Sequence, residues 1–328
     1  MTLPLRLAIL SAGLLIAAAP SVLASTAQPT SSQQAPTRTP VPTRFEHQRI
    51  FVTPRFADGT TVQFYTDSGG GLNMIRDDVV RRLDLAAGAD VEETGQPPIK
   101  TVKWPAFAPD AAIPSPDQDR FLQGRLAVVP AEGFGEGPML NEAFLGSRWF
   151  AGRVWEFDYP AGSLTVLQGW SAPTGTPSTP LTMLPERNMY WPRIQVEIDG
   201  EVLDMLFDTG AELRLGPGGA KALGHAEGAR VAGSFITARQ YRKWRDAHPD
   251  WPVALKGDGG MPMIQVPNVR IAGKDTGPAW FAARPDRNFT EYMSSMTDAP
   301  VEGAIGGSAF THLRMVADYP AQRLYVLP

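Results

Sequence analysis

The feature that most constrains this chain is a duplication. Ile50-Phe51-Val52, then Asp58-Gly59, then Val62-Gln63-Phe64-Tyr65-Thr66-Asp67-Ser68-Gly69 is echoed by Ile194–Ile198, then Asp199-Gly200, then Val202-Leu203-Asp204-Met205-Leu206-Phe207-Asp208-Thr209-Gly210. An Asp-Gly pair between apolar or alternating runs signals a hairpin. In both halves the Asp that opens the Asp-Ser/Thr-Gly turn stands nine residues after the Asp of the Asp-Gly pair. The ends of the halves match as well. Leu145-Gly146-Ser147-Arg148-Trp149-Phe150 aligns with Ile305-Gly306-Gly307-Ser308-Ala309-Phe310, and Asp158-Tyr159-Pro160-Ala161 aligns with Asp318-Tyr319-Pro320-Ala321. Each tail closes on an alternating strand, Ser163–Leu167 and Arg323–Leu327.

Between turn and tail the halves differ in length. The offset is 141 residues from Asp67 to Asp208 but 160 from Gly146 to Gly306, so the second half carries an insertion of about 19 residues. The spacing aligns Leu72-Asn73-Met74-Ile75, leading into a helix over Arg76–Leu85, with Leu213-Arg214-Leu215, leading into a helix over Pro217–Leu223. Pro217 suits a first helical turn. A further helix is expected within Ile236–His248.

The 31 prolines and 32 glycines favour many short strands and turns over long helices. The domain reading is a signal peptide over 1–24, a disordered Pro/Ser/Thr tether over 25–43, a first lobe over 44–170, a linker over 171–180 and a second lobe over 181–328. Arg6, the apolar run Leu7–Ala19, Pro20 and the small residues around Val22-Leu23-Ala24 have the layout of a secretory signal. The run is short for a membrane span, so no stable span is expected once the signal is removed. Export to the periplasm or the medium follows, and with the absence of cysteine it fits a bacterial enzyme.

Composition removes several chemistries. With no cysteine there is no disulfide, thiolate nucleophile or cysteine-ligated zinc. A net charge of -4 without a basic stripe gives no footprint for nucleic acid. His47, His225, His248 and His312 show no metal-ligand spacing, and Gly306-Gly307-Ser308-Ala309-Phe310 is not a nucleophile elbow.

Two carboxylates on tight turns at the ends of apolar strands suit one chemistry well. Held within hydrogen-bonding distance, they share a proton, because both cannot easily ionise. The ionised member takes a proton from water and the protonated one donates to a peptide carbonyl oxygen, with no cofactor or metal. Ser68 and Thr209 carry hydroxyls able to reach the opposing turn, and Gly69 and Gly210 are expected to allow a backbone conformation closed to side chains. Asp275-Thr276-Gly277 repeats the tripeptide without a preceding apolar strand and reads as a hairpin turn, as do Asp158 and Asp318.

Asp67-Ser68-Gly69 and Asp208-Thr209-Gly210 resemble the active-site turns of pepsin-like and retropepsin-like aspartic proteases. Phe144-Leu145-Gly146 and Ala304-Ile305-Gly306 resemble that family's second motif, with Gly146 and Gly306 crossing behind the turns. The resemblance covers both halves and implies an all-β, bilobal acid-protease fold of two duplicated barrel-like lobes, catalytic Asp67 and Asp208, and a peptide or protein substrate in the cleft between them. Retropepsins assemble the site from two chains; here one chain carries both turns, so a monomer suffices. Trp104 is the candidate flap residue. Pepsins often place Ser or Thr three residues after the catalytic Asp, where this chain has Gly70 and Ala211. Losing that donor raises the carboxylate pKa values and implies a less acidic optimum. Gly70 and the polar Thr66 keep a second reading open, a non-cutting peptide- or envelope-binding protein of the same fold; a tethered structural β-protein leaves the matched Asp turns unexplained.

Overall fold

Both halves are built around the same four-strand crossing. In the computed structural model, which describes residues 35–92, 95–132 and 142–328, Phe64–Thr66 runs parallel to Ala143–Leu145. That strand is antiparallel to Met74–Arg76, which is parallel to Leu126–Val129. In the second half Glu201–Phe207 runs parallel to Gly303–Ile305, which is antiparallel to Ser234–Thr237, itself parallel to Ala279–Arg284. Phe64–Thr66, Ala143–Leu145 and Gly303–Ile305 are buried at every residue. Strands covered on both faces read as continuous apolar runs, the pattern in front of each Asp.

The register locates the insertion. Met74 lies opposite Phe144 and Phe235 opposite Ala304, so Met74 and Phe235 are equivalent. The strand Met74–Arg76 with its helix Asp77–Arg82 therefore corresponds to Ser234–Thr237 with its helix Ala238–Ala247. The alignment expected from sequence, with Leu213-Arg214-Leu215 and the helix Pro217–Leu223, is corrected. Those residues belong to an excursion, Ala211–Gly233, that leaves directly after the second Asp turn and has no counterpart after the first. The helix expected over Ile236–His248 is present as Ala238–Ala247, and Gln240, Tyr241 and Trp244 form its buried face.

The halves share a six-stranded sheet in the order Thr37–Val41, Ser163–Gln168, Val154–Asp158, Arg314–Asp318, Arg323–Leu327, Ser178–Pro180. Val154–Asp158 and Arg314–Asp318 join the halves as an antiparallel pair. Beneath it the buried rings are exchanged. Tyr159 packs edge-on against Phe310 at 5.5 Å, and Tyr319 stacks on Phe150 at 6.1 Å. Asp158 and Asp318 act as turn residues, each accepting the amide three residues on, from Ala161 and Ala321, at 2.9 Å.

Two segments read as tethers are partly strands. Thr37–Val41 and Ser178–Pro180 form the two edges of the shared sheet, although their composition is Thr/Pro-rich. Proline is tolerated at an edge because its missing N–H faces away from the ladder. The expected signal and the tether up to Gln34 lie outside the described residues. Ala35–Pro328 forms one compact unit. Its sheets are open paths, so the expected lobes are not closed barrels.

Candidate active site

The second-motif strand anchors each turn from behind. The Asp67 amide donates to the Leu145 carbonyl at 2.9 Å and the Asp208 amide to the Ile305 carbonyl at 3.0 Å. Each carboxylate then accepts the amide of its own turn glycine, Gly69 to Asp67 at 2.8 Å and Gly210 to Asp208 at 3.0 Å. The turns are also tied to one another, as expected. The Ser68 amide donates to Thr209 Oγ1 at 3.1 Å, the Thr209 amide to Ser68 Oγ at 2.9 Å, and Ser68 Oγ to the Phe207 carbonyl at 2.8 Å. Ser68 and Thr209 are fully buried, so these bonds satisfy groups that water cannot reach.

The two carboxylates face each other across the joined turns, close enough for each to shift the other's titration. Asp67 is 6% exposed and Asp208 9%. Burial holds Asp208 well above the ordinary aspartate range, and the charge and hydrogen bond of Asp67 push it further. Burial also raises Asp67, against the lowering effect of the hydrogen bond from Asp208 and the amides of Gly69 and Gly70. Both values are raised and the pair titrates as a unit, sharing one proton.

The turn glycines do something other than the sequence reading proposed. Neither Gly69 nor Gly210 lies in the left-handed region. A Cβ on Gly69 would stand 2.6 Å from the Asp208 carboxyl carbon, and one on Gly210 would stand 2.7 Å from Asp67 Cα. Each glycine exists to let the opposing aspartate approach. The second-motif glycines act similarly. A Cβ on Gly146 would meet the carbonyl carbon of Gly71 at 2.8 Å, and one on Gly306 the Asp208 carbonyl oxygen at 2.9 Å.

Both departures at the turns have a structural explanation. A side chain at Gly70 would meet Phe144 Cζ at 2.5 Å and the Asp67 carboxyl carbon at 2.9 Å, so no hydroxyl donor fits there. Thr66 is fully buried, but its Oγ1 donates to the Ile50 carbonyl at 3.0 Å.

Four supporting residues were not singled out from sequence. Asn73 Oδ1 accepts the Gly146 amide at 3.0 Å, and Ser234 Oγ accepts the Gly306 amide at 3.1 Å. The only sequence signal is a polar residue directly before a short apolar strand. Tyr65 Oη donates to the Gly210 carbonyl of the opposite turn at 2.9 Å. Glu212, buried four residues after Asp208, accepts from Arg49 at 2.7 Å and Arg230 at 2.8 Å, tying the halves beside the site.

Trp104, the expected flap residue, packs on Phe64 at 6.3 Å and edge-on against Phe107 at 6.1 Å, within the main core. Among the described contacts it touches neither carboxylate. The third Asp-Thr-Gly is not the hairpin turn the sequence suggested: that turn is Ala272-Gly273, and Asp275 ends the return strand Lys274–Asp275, where it accepts the Gly277 amide at 2.7 Å. A pocket of about 440 Å³ opens against Asp208, lined by Gly69, Leu206, Phe235, Phe289, Tyr292 and Ala304 among others.

No family model and no curated protein matches the chain. Among solved structures it is similar to the aspartic proteinase from Irpex lacteus, with a TM-score of 0.46 and 11% identity over 88% of this chain and 97% of that one. It is also similar to conglutin gamma, a basic 7S globulin from lupine seeds (TM-score 0.46, 10% identity, 89% of this chain and 95% of that one). Basic 7S globulin from soybean gives a TM-score of 0.44 and 9% identity over 89% and 94% of the two chains. The paired turns and the strand order define the site by themselves.

Proposed function

We propose that this chain is an aspartic-type endopeptidase. Water held between Asp67 and Asp208 loses a proton to the ionised member of the pair as its oxygen attacks a peptide carbonyl carbon. The protonated member gives its proton to the carbonyl oxygen, forming a tetrahedral diol. As the diol collapses, the C–N bond breaks, the leaving nitrogen takes the proton that water gave up, and a diol hydroxyl returns its proton to the other carboxylate. The observation that carries this reading is the buried pair of facing carboxylates on two mutually bonded turns. A structural role would not call for two carboxylates forced together out of water, where each resists ionising. One chain supplies both turns, so the active form is a monomer acting on peptide or protein segments.

Activity requires one ionised and one protonated carboxyl in the pair. Both are raised by burial, so both limbs of the pH–rate profile move upward. The expected optimum lies above that of a pair with ordinary aspartate values. A scan of peptide cleavage by the full chain tests this, and a maximum near pH 2 contradicts it. Binding of peptides without cleavage at any pH would instead favour the non-cutting reading.

Export belongs to the same proposal and rests on Arg6, the run Leu7–Ala19 and the small residues before Ser25. Expression in a secreting host should give mature chain beginning near Ser25 in the periplasm or medium. Terminal sequencing that finds Met1 retained on an unexported chain contradicts it.

A further inference from the structure

The two halves treat the space beside their carboxylates differently. Strand register makes Tyr65 the counterpart of Leu206, Phe144 that of Ala304, and Met74 that of Phe235. In the second half the smaller pair, Leu206 and Ala304, leaves the 440 Å³ pocket open beside Asp208, with Gly69 of the opposite turn on its rim. In the first half, among the described residues, larger side chains stand at the equivalent positions. Tyr65 stretches across until its hydroxyl meets the carbonyl of Gly210, the counterpart of Gly69. Phe144 lies with its ring against the Gly70 backbone. Tyr65, Phe144 and Phe51 are buried together as one cluster, with Met74 packed against them.

The open pocket has an apolar character. Phe289, Tyr292 and Met293 form its outer wall on a short helical segment, and Tyr292 is 67% exposed. Arg284 also reaches the pocket, but its guanidinium is paired with Asp258 and lies 4.2 Å over the Phe235 ring. It therefore presents a covered face and no free charge. A volume in the usual range of small-ligand sites, about 300–1,000 Å³, accommodates one large side chain.

We propose that the cleft takes one large apolar side chain beside the scissile bond, in the pocket against Asp208, and only a small one on the Asp67 side. Substrates would then be extended segments in which a large apolar residue adjoins a small one. This rests on the carboxylate pair being the site of peptide binding. Tyr65 and Phe144 are the specificity-determining residues on the closed side, and Ala304 and Tyr292 on the open side.

The test uses four peptides that differ only at the two residues flanking the central bond: Ala-Ala, Phe-Ala, Ala-Phe and Phe-Phe. Cleavage by the full chain is read as kcat/KM, and binding to the full-length Asp67→Asn variant is read as Kd. One of the two single-Phe peptides should gain about 10- to 100-fold over Ala-Ala, the value of burying one large apolar side chain. The other single-Phe peptide and Phe-Phe should show no such gain. Ala304→Phe should erase the gain by refilling the pocket. Tyr292→Ala, at an exposed position, should reduce it. Equal gains on both sides, or on neither, overturn the inference while leaving the protease reading standing wherever the wild type cuts. Asymmetric binding without cleavage supports the inference and removes the catalytic reading. Neither binding nor cleavage removes both.

Discussion

Asp67→Asn and Asp208→Asn are each expected to lower kcat for peptide hydrolysis by about 10³- to 10⁴-fold, the upper range for a positioned proton-transfer group. The two groups act on one water, so the double variant should lose little more than either single variant. The fold should survive. At either position the amide has nearly the shape of the carboxyl it replaces and carries no charge to bury. The pH dependence has a definite sign. Both carboxyls have raised values in the folded state, so their contribution to stability is fully present below about pH 3.9, the ordinary aspartate value. It is lost as pH rises through the raised values. Thermal unfolding should therefore find both variants at least as stable as wild type at pH 7, with the difference shrinking toward pH 3. Activity retained within tenfold of wild type would contradict the assignment, and so would collapse of both variants at pH 7.

The second large effect is steric. Gly210→Ala introduces a Cβ 2.7 Å from Asp67 Cα and closer still to its carboxyl carbon. Ordinary carbon–carbon contact needs about 3.5–4.0 Å, so the two turns must separate by roughly an ångström. A displacement of that size at reacting groups costs about 100-fold in rate. Gly71→Ala supplies the control, because a Cβ there meets nothing within 4 Å. The expected result is a folded Gly210→Ala protein with kcat reduced about 100-fold or more and a Gly71→Ala protein close to wild type. Equal activities in the two would show that the close approach of the turns does not matter to the chemistry.

The contrast between these glycines also marks how far sequence could be read. The duplication, the two Asp turns, the hydroxyls reaching across them and the glycine motifs behind them were legible, because each is a local pattern that recurs in step. What the turn glycines do was not legible. Their neighbour is the opposing Asp, 139 residues from Gly69 and 143 from Gly210, and only the packed turns bring it within reach. Asn73 and Ser234 were missed for the same reason, since each serves an amide more than 70 residues on. The excursion Ala211–Gly233 was misaligned because Leu213-Arg214-Leu215 and Pro217 copy the local grammar of strand and helix, while register is set by pairing with Gly303–Ile305. Composition misled at Thr37–Val41 and Ser178–Pro180, where Pro and Thr suit an edge strand as well as a tether. The asymmetry of the cleft sits in Tyr65 against Leu206 and Phe144 against Ala304. All four are ordinary core residues by sequence, and their difference becomes visible only when the halves are superposed by register.

The most direct test of the central claim is digestion of a diverse peptide mixture in oxygen-18 water between pH 3 and 7, read by mass spectrometry for the wild-type chain and both Asn variants. Wild type should cut internal bonds and place one labelled oxygen in each new carboxyl terminus, while both variants leave the mixture intact. A folded wild-type chain that cuts nothing across that range, or cleavage that persists in either variant, would contradict the paired-carboxylate account.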